Sequence, residues 1–363
     1  MRIPRLLTAS ASAVALVVLL AGCTGASTAS TAAQSPTPLL SSVSPLADPG
    51  SWKGATSARI GSEAIDAVTS GKQKLPATIA DSQGTTVTVT DTSRILALDL
   101  YGSLSRAVFE LGLGKNVVGR DISSDFAEVA DRPLVTENGH DLNAEAILAL
   151  DPTVIITDTS LGPWDTILQM RDAGVPVVVV DSKRSIDTIG SLIGSVADAL
   201  GVPARGTELT TRITARVTAK VAEIAAVAPA DTADRLRMVF LYVRGQAGVY
   251  YMFGEGSGAD SLIDSLGGVD VAKEIGWKGM RPVTDEGIIS AAPDLILVMT
   301  KGLESVGGVD GLLDSIPALA QTPAGENRRV VDMADTEILS FGPDTARVLD
   351  ALAVAVYAPK AAE

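Results

Sequence analysis

The sequence predicts an α/β protein of two lobes with parallel sheets, bridged by one long α-helix. Three observations carry that prediction. Short apolar runs such as Val154-Ile155-Ile156-Thr157 and Val177-Val178-Val179-Val180 alternate with helical segments, as strands covered on both faces of a parallel sheet require. Residues 204 to 228 place Leu209, Ile213, Val217, Val221 and Ile224 at spacings of three and four, the period of a helix with one apolar face. A segment before that helix is also copied after it. Asn143 to Pro152 matches Thr284 to Pro293 at a constant offset of 141, with Glu145 falling on Glu286 and Pro152 on Pro293.

The chain opens with Arg2 and Arg5, an uncharged stretch from Ala11 to Leu20, and Leu20-Ala21-Gly22-Cys23. A positive start, an apolar run too short to span a bilayer and small residues before a cleavage point predict a signal peptide over residues 1–22. Cysteine at that point predicts a bacterial lipoprotein, with Cys23 lipidated (palmitate among its acyl chains) and the protein held on the outer face of the cell membrane. Cys23 is the only cysteine, so no thiol remains for a disulfide or a thiolate metal site. Residues 23–84 read as lipidated tether and lead-in, the part to about residue 50 being Thr, Ser, Ala and Pro that cannot bury a core.

Regular structure is expected from Thr85-Thr86-Val87-Thr88-Val89-Thr90, whose alternation is a strand signal. The first lobe, 85–202, continues with the strand Ile95-Leu96-Ala97-Leu98, a helix from Ser103 to Leu111 ended by Gly112, and the strand Val117-Val118-Gly119. A helix from Trp164 to Ala173, ended by Gly174, joins the two apolar runs. The connecting helix occupies 203–229, roughly 37 Å long, with Pro203 suited to its start and Pro229 to its end. The second lobe, 230–363, opens on the strand Leu236 to Val243. In the repeat, Asn143 and Thr284 are competent N-caps, and each proline stops a short helix before a buried strand.

Composition excludes several functions. With 43 acidic and 29 basic residues and a net charge of −14, the chain is a poor nucleic-acid binder. His140 is the only histidine, which rules out zinc or manganese sites built from several imidazoles. A serine hydrolase would need His140 as its base, yet no G-x-S-x-G turn presents a nucleophile. The glycine-rich run Gly254 to Gly258 lacks the lysine of a phosphate loop, so it reads as a turn before a helix from Ala259 to Leu266. No enzymatic activity is expected.

Three further groups of residues stand out, and each has an ordinary structural reading beside a functional one. His140 lies in a loop three residues before the capped helix, at the edge where a cleft between lobes should open. Tyr242 and Arg244 alternate along one strand and so project from one face; a guanidinium beside a phenol stabilises the phenolate. Glu145 and Glu286 stand in first helical turns, where a carboxylate is favourable.

Together, the lipobox, the tether and two Rossmann-like lobes joined by a helix resemble the helix-linked (class III periplasmic-binding-protein-like) substrate-binding proteins of ABC importers for siderophores, cobalamin and haem. The motifs Glu137-Asn138-Gly139-His140-Asp141-Leu142, Phe240-Leu241-Tyr242-Val243-Arg244-Gly245 and Gly254-Glu255-Gly256-Ser257-Gly258-Ala259-Asp260 resemble more specifically the haem-binding lipoproteins of actinobacteria, the HmuT family, over about residues 76 to 357. The resemblance implies that His140 and Tyr242 are axial ligands to the iron of haem b, carried as cargo, with Arg244 hydrogen-bonded to the tyrosine. It implies Met299 as a pocket methionine, and Glu145 and Glu286 as the residues that meet arginines of the permease. Tyr251 and Trp277 are candidate apolar walls, and Arg281, at the repeat position of His140, a candidate partner for a propionate. The expected protein is a monomer that passes haem to an ABC permease and its ATPase. The alternatives are a siderophore or cobalamin carrier, and a surface lipoprotein without a transport role.

Overall fold

The structure is a computed structural model and describes residues 35–362; the signal peptide, Cys23 and the first part of the tether lie outside the described residues. The first half contains β1 (Thr56–Ala58), β2 (Ala77–Ala80), β3 (Thr86–Val89), β4 (Ile95–Leu98), α1 (Ser103–Val108), β5 (Thr136–Glu137), β6 (Asp141–Leu142), α2 (Ala144–Ala149), β7 (Val154–Thr157), α3 (Trp164–Asp172), β8 (Val177–Val179), α4 (Ile189–Ala199) and α5 (Pro203–Val227). The second half supplies β9 (Arg237–Arg244), β10 (Val249–Phe253), α6 (Ala259–Ser265), β11 (Val269–Asp270), α7 (Val271–Glu274), β12 (Met280–Pro282), α8 (Asp285–Ala291), β13 (Leu295–Met299), α9 (Thr300–Ser305), α10 (Gly308–Ser315), α11 (Pro323–Glu326), β14 (Val330–Met333) and α12 (Thr345–Tyr357).

Both expected sheets are present. In the first lobe β4, β7 and β8 run parallel, with Leu96 beside Ile155 and Ile155 beside Val177. The expected strand at Val117 contributes a single bridge to Ile95. The second lobe holds the order β1-β14-β13-β9-β10-β12, parallel as far as β9 and antiparallel beyond it. The Thr/Val alternation forms β3, which pairs with β2 and buries Val87 and Val89.

The connecting helix begins at Pro203, in the first turn, where a missing N–H leaves nothing unpaired. It buries Leu209, Ile213, Val217 and Ile224. One core cluster joins those residues to Ile95 and Ala97 of the first sheet and to Phe240 and Leu297 of the second. The outer faces of the sheets have separate clusters, around Leu96 and Ile155 in one lobe and Leu241 and Val298 in the other. Because the inner faces share one core through α5, the lobes are tied along their backs and the open side is the cleft.

One expectation is corrected. The tether was expected to lack structure to about residue 50, but Leu40 is buried, its N–H donating to Asp350 Oδ1 at 3.2 Å, and the Leu46 N–H donates to the Tyr357 carbonyl at 2.7 Å. Leu40, Val43 and Leu46 supply apolar area that an overall Thr/Ser/Pro composition conceals. Beyond them β1 adds to the second-lobe sheet, Thr56 opposite Val331, so the lead-in begins in the second lobe before crossing to the first. The helix expected from Ser103 is ended by Gly112 as expected: α1 gives way after Val108 to a π turn over Phe109–Leu113, within which Gly112 leaves helical geometry at φ 76. A side chain there would be strained, and its Cβ would lie 2.9 Å from the Val68 carbonyl oxygen.

The internal copy is a structural one. Asn143 accepts from the Ala146 N–H at 2.9 Å and Thr284 from the Gly287 N–H at 3.1 Å, each capping a short helix. Asp151 at φ 44 and Ala292 at φ 41 are both left-handed just before Pro152 and Pro293, the conformation that ends a helix and turns the chain into the next strand.

Candidate functional site

His140 lies at the tip of the β5–β6 hairpin. Glu137 pairs with Asp141, leaving Asn138, Gly139 and His140 as the turn. Asn138 at φ 48 and Gly139 at φ 95 take up the left-handed conformations that so short a connection needs. The Asn143 amide donates to Glu137 Oε2 at 2.8 Å while its oxygen caps α2, locking hairpin to helix. The imidazole is exposed. Desolvation and then the Arg244 guanidinium hold its pKa below the usual 6.5; Lys301 acts the same way, and Asp335 and Asp141 oppose them. Arg244, Asp335 and Lys301 are second-lobe residues, so His140 faces that lobe across the cleft. A histidine kept neutral is one that can donate a lone pair to a metal.

Tyr242 and Arg244 share a face of β9 as the alternation requires. The Arg244 guanidinium carbon lies 4.5 Å from the centroid of the Tyr242 ring, a cation–π arrangement. The opposite constraint comes from Phe253, stacked at 6.0 Å between centroids and 16° between planes. Among the described residues the hydrogen bonds of Arg244 go to Asp335 Oδ2 at 2.8 Å and to the Val243 carbonyl at 2.9 Å, so the guanidinium covers the ring face, where the resemblance implied a bond to the hydroxyl. Asp335 is fixed in turn by the Lys301 N–H, which donates to its Oδ1 at 3.0 Å.

Tyr251 is the register partner of Tyr242 on β10, and both pack with Met299 against the main core. Trp277 does not join them. It packs on the outer cluster of the second lobe, beneath α8, where a Cβ added at Gly287 would lie 2.8 Å from its ring. Arg281 is in register with Met252, a residue of that same outer cluster, and is exposed at the sheet edge. Opposed residues of an antiparallel pair point to the same side, so neither Trp277 nor Arg281 is placed with Tyr242. The neighbour that sequence reasoning passed over is Met280, opposite Phe253 and 63 % exposed. Glu145 and Glu286 are both exposed in the first turns of α2 and α8.

A cavity of about 390 Å³ lies between the lobes, lined by Tyr101, Arg106 and Asp125 of the first and Thr336, Glu337 and Arg347 of the second, with neither His140 nor Tyr242 on its wall. The Thr336 hydroxyl donates to Asp125 Oδ2 at 3.1 Å, and Arg106 meets Asp344 at 3.3 Å, two polar ties across the cleft. Burial, then Asp125 and Asp344, push Glu337 up to about 7. Along the first lobe's rim, buried Arg184 joins Asp158 at 2.6 Å and Asp99 at 3.3 Å. Asp121 closes this group by accepting the Asp99 N–H at 3.0 Å, which sets the loops leaving the strands. Among the described residues no cluster of three or more His, Cys, Asp or Glu is arranged to hold a metal ion, and no helix is long and apolar enough to cross a membrane.

Residues 100–336 match the family described as periplasmic binding protein. Among solved structures, the haem-binding protein HmuT is 40% identical, with a TM-score of 0.80 over 85% of this chain and 99% of its own. Crystal structures of its alanine variants, in which a histidine, a tyrosine or the arginine two positions after that tyrosine is replaced, align equally well, at TM-scores of 0.80 to 0.81. The periplasmic haem-binding protein RhuT from Roseiflexus sp. RS-1 is 38% identical, with a TM-score of 0.65 over 75% of this chain and all of its own. Among curated proteins, an uncharacterized ABC transporter substrate-binding lipoprotein of Bacillus subtilis (strain 168), YvrC, is 24% identical over 79% of this chain and 88% of its own.

Proposed function

The chain belongs to the periplasmic binding protein family, and from that premise we propose that it is the haem-binding component of an ABC importer. Haem b enters the cleft between the lobes as cargo. His140 from the first lobe and Tyr242 from the second supply the axial ligands, imidazole and phenolate being established donors to haem iron. Arg244, held on the tyrosine ring by Asp335, fixes the position of that ring, and Tyr251 and Met299 provide apolar contact for the porphyrin. Cys23 carries the lipid that keeps the protein on the outer face of the membrane, and Glu145 and Glu286 present the loaded protein to the permease and its ATPase.

The observation that supports this reading is that Arg244, whose guanidinium lies on the Tyr242 ring, also acts, after desolvation, to lower the pKa of His140, the only histidine, from the opposite lobe. A metal bound between them closes the cleft, and separating the lobes breaks a ligand. The test is a hemin titration followed by absorbance. The wild-type protein is expected to develop a Soret band with the charge-transfer feature of tyrosinate ligation. The His140→Ala, Tyr242→Ala double variant is expected to lose both features. Unchanged spectra in that double variant would remove the ligand assignment, and quenching by a ferric siderophore with indifference to hemin would replace the cargo.

A further inference from the structure

The internal copy extends past the carboxylates to two exposed aliphatic residues. Ile147 and Ile288 occupy matched positions and are fully buried. The next residues, Leu148 and Ile289, are also matched and are 47% and 51% exposed. Each stands three residues after its glutamate, on the same helical face, and all four side chains are exposed. A single exposed leucine is ordinary. A carboxylate with an aliphatic side chain one turn on, at one repeat offset in both lobes, is not explained by either lobe's folding, since the capping and burial of α2 and α8 are complete without them.

Two like patches, one per lobe, fit a partner that offers two like sites, each with a cation for the glutamate and a hollow for the aliphatic group. A second copy of this chain is a poor fit, because it would set carboxylate against carboxylate on a chain of net charge −14. We propose that Leu148 and Ile289 are apolar anchors that seat the two lobes on the paired subunits of the importer's permease, an inference that rests on the transport role proposed above. The glutamates steer and register the encounter, and the aliphatic side chains, once desolvated, set its lifetime.

The experiment is binding of hemin-loaded protein to the cognate permease–ATPase complex in nanodiscs, with on- and off-rates measured separately and hemin affinity measured on the same samples. Leu148→Ser and Ile289→Ser are each expected to raise the off-rate about tenfold, with on-rate and hemin affinity unchanged. Glu145→Gln and Glu286→Gln are expected to lower the on-rate and flatten its salt dependence. A wild-type off-rate in the Leu148→Ser, Ile289→Ser double variant would overturn the proposal and leave haem binding intact. So would loss of self-association in sedimentation with docking unchanged, which would assign the patch to a homodimer. A change in hemin affinity would also overturn it, by assigning the two residues to the cleft. If the wild-type protein binds hemin but not the complex, the proposal falls together with delivery; if it does not bind hemin, the cargo assignment falls by itself.

Discussion

The Arg244 guanidinium lies over the ring of Tyr242, 4.5 Å from its centroid, and Asp335 holds it there through a 2.8 Å hydrogen bond. This arrangement gives the tyrosine a fixed positive neighbour without a bond to its hydroxyl, leaving the oxygen free to bind. The two axial ligands are therefore unequal. An anionic phenolate neutralises ferric charge, and a neutral imidazole does not. Tyr242→Ala is expected to weaken hemin binding about a hundredfold and His140→Ala about tenfold, as read from Soret titrations. Equal losses would place the main contribution elsewhere.

Asp335 reaches Tyr242 through Arg244 in this geometry. Asp335→Ala frees the guanidinium, whose side chain is 30% exposed, to leave the ring. The expected result is the same spectral shift of bound haem that Arg244→Ala gives, with the melting temperature of the apo protein changed by no more than a partly exposed ion pair warrants, about 1 kcal/mol or less. A normal haem spectrum in Asp335→Ala would mean that packing against Phe253 is enough to set the tyrosine.

How much of this site was legible in the sequence follows from how far apart its parts lie. The caps at Asn143 and Thr284, the five apolar positions of α5 and the strand face of Tyr242 and Arg244 are local patterns, and all are found as expected. Asp335 lies 91 residues from Arg244 on a loop with no motif, so only the fold brings it there. Thr56-Ser57-Ala58 becomes a strand because β14 offers an open edge, a fact absent from three small residues. The side on which Arg281 stands was not legible because β12 is only Met280-Arg281-Pro282, too short for its alternation to be read, and Trp277 lies in the irregular segment before it. The register with β10 decides which side chain points where.

The sole histidine permits a direct test of the cleft's electrostatics. Its single imidazole resonance in the apo protein should titrate with a midpoint below 6.5, because desolvation and Arg244 disfavour the cation. Since the unfolded chain binds that proton at higher pH than the folded one, the contribution of His140 to stability is complete above about 6.5 and is lost as pH falls toward the folded pKa. Hemin affinity should decline over the lower part of that range, where proton and iron compete for one lone pair, and the decline should vanish in His140→Ala. Arg244→Ala should move the midpoint upward; an unmoved midpoint would separate the two lobes' charges.

Glu337 has the opposite sign. Burial, Asp125 and Asp344 raise its carboxyl from 4.5 to about 7, so the folded protein holds this proton over a range where the unfolded chain has released it. Stability from this group is therefore full below about 4.5 and falls as pH rises to about 7. Glu337→Gln keeps the shape and removes the charge. Allowing for the group's partial exposure, it is expected to stabilise the protein by about 1–2 kcal/mol at pH 8, a few degrees in melting temperature, and by nothing measurable at pH 4. Because Glu337 sits beside the Thr336–Asp125 tie between the lobes, the same variant should slow hemin release at pH 8 and leave it unchanged at pH 5. Identical melting curves for the two proteins at pH 8 would show that the carboxylate is solvated in the cavity, and the slower release would then have no cause.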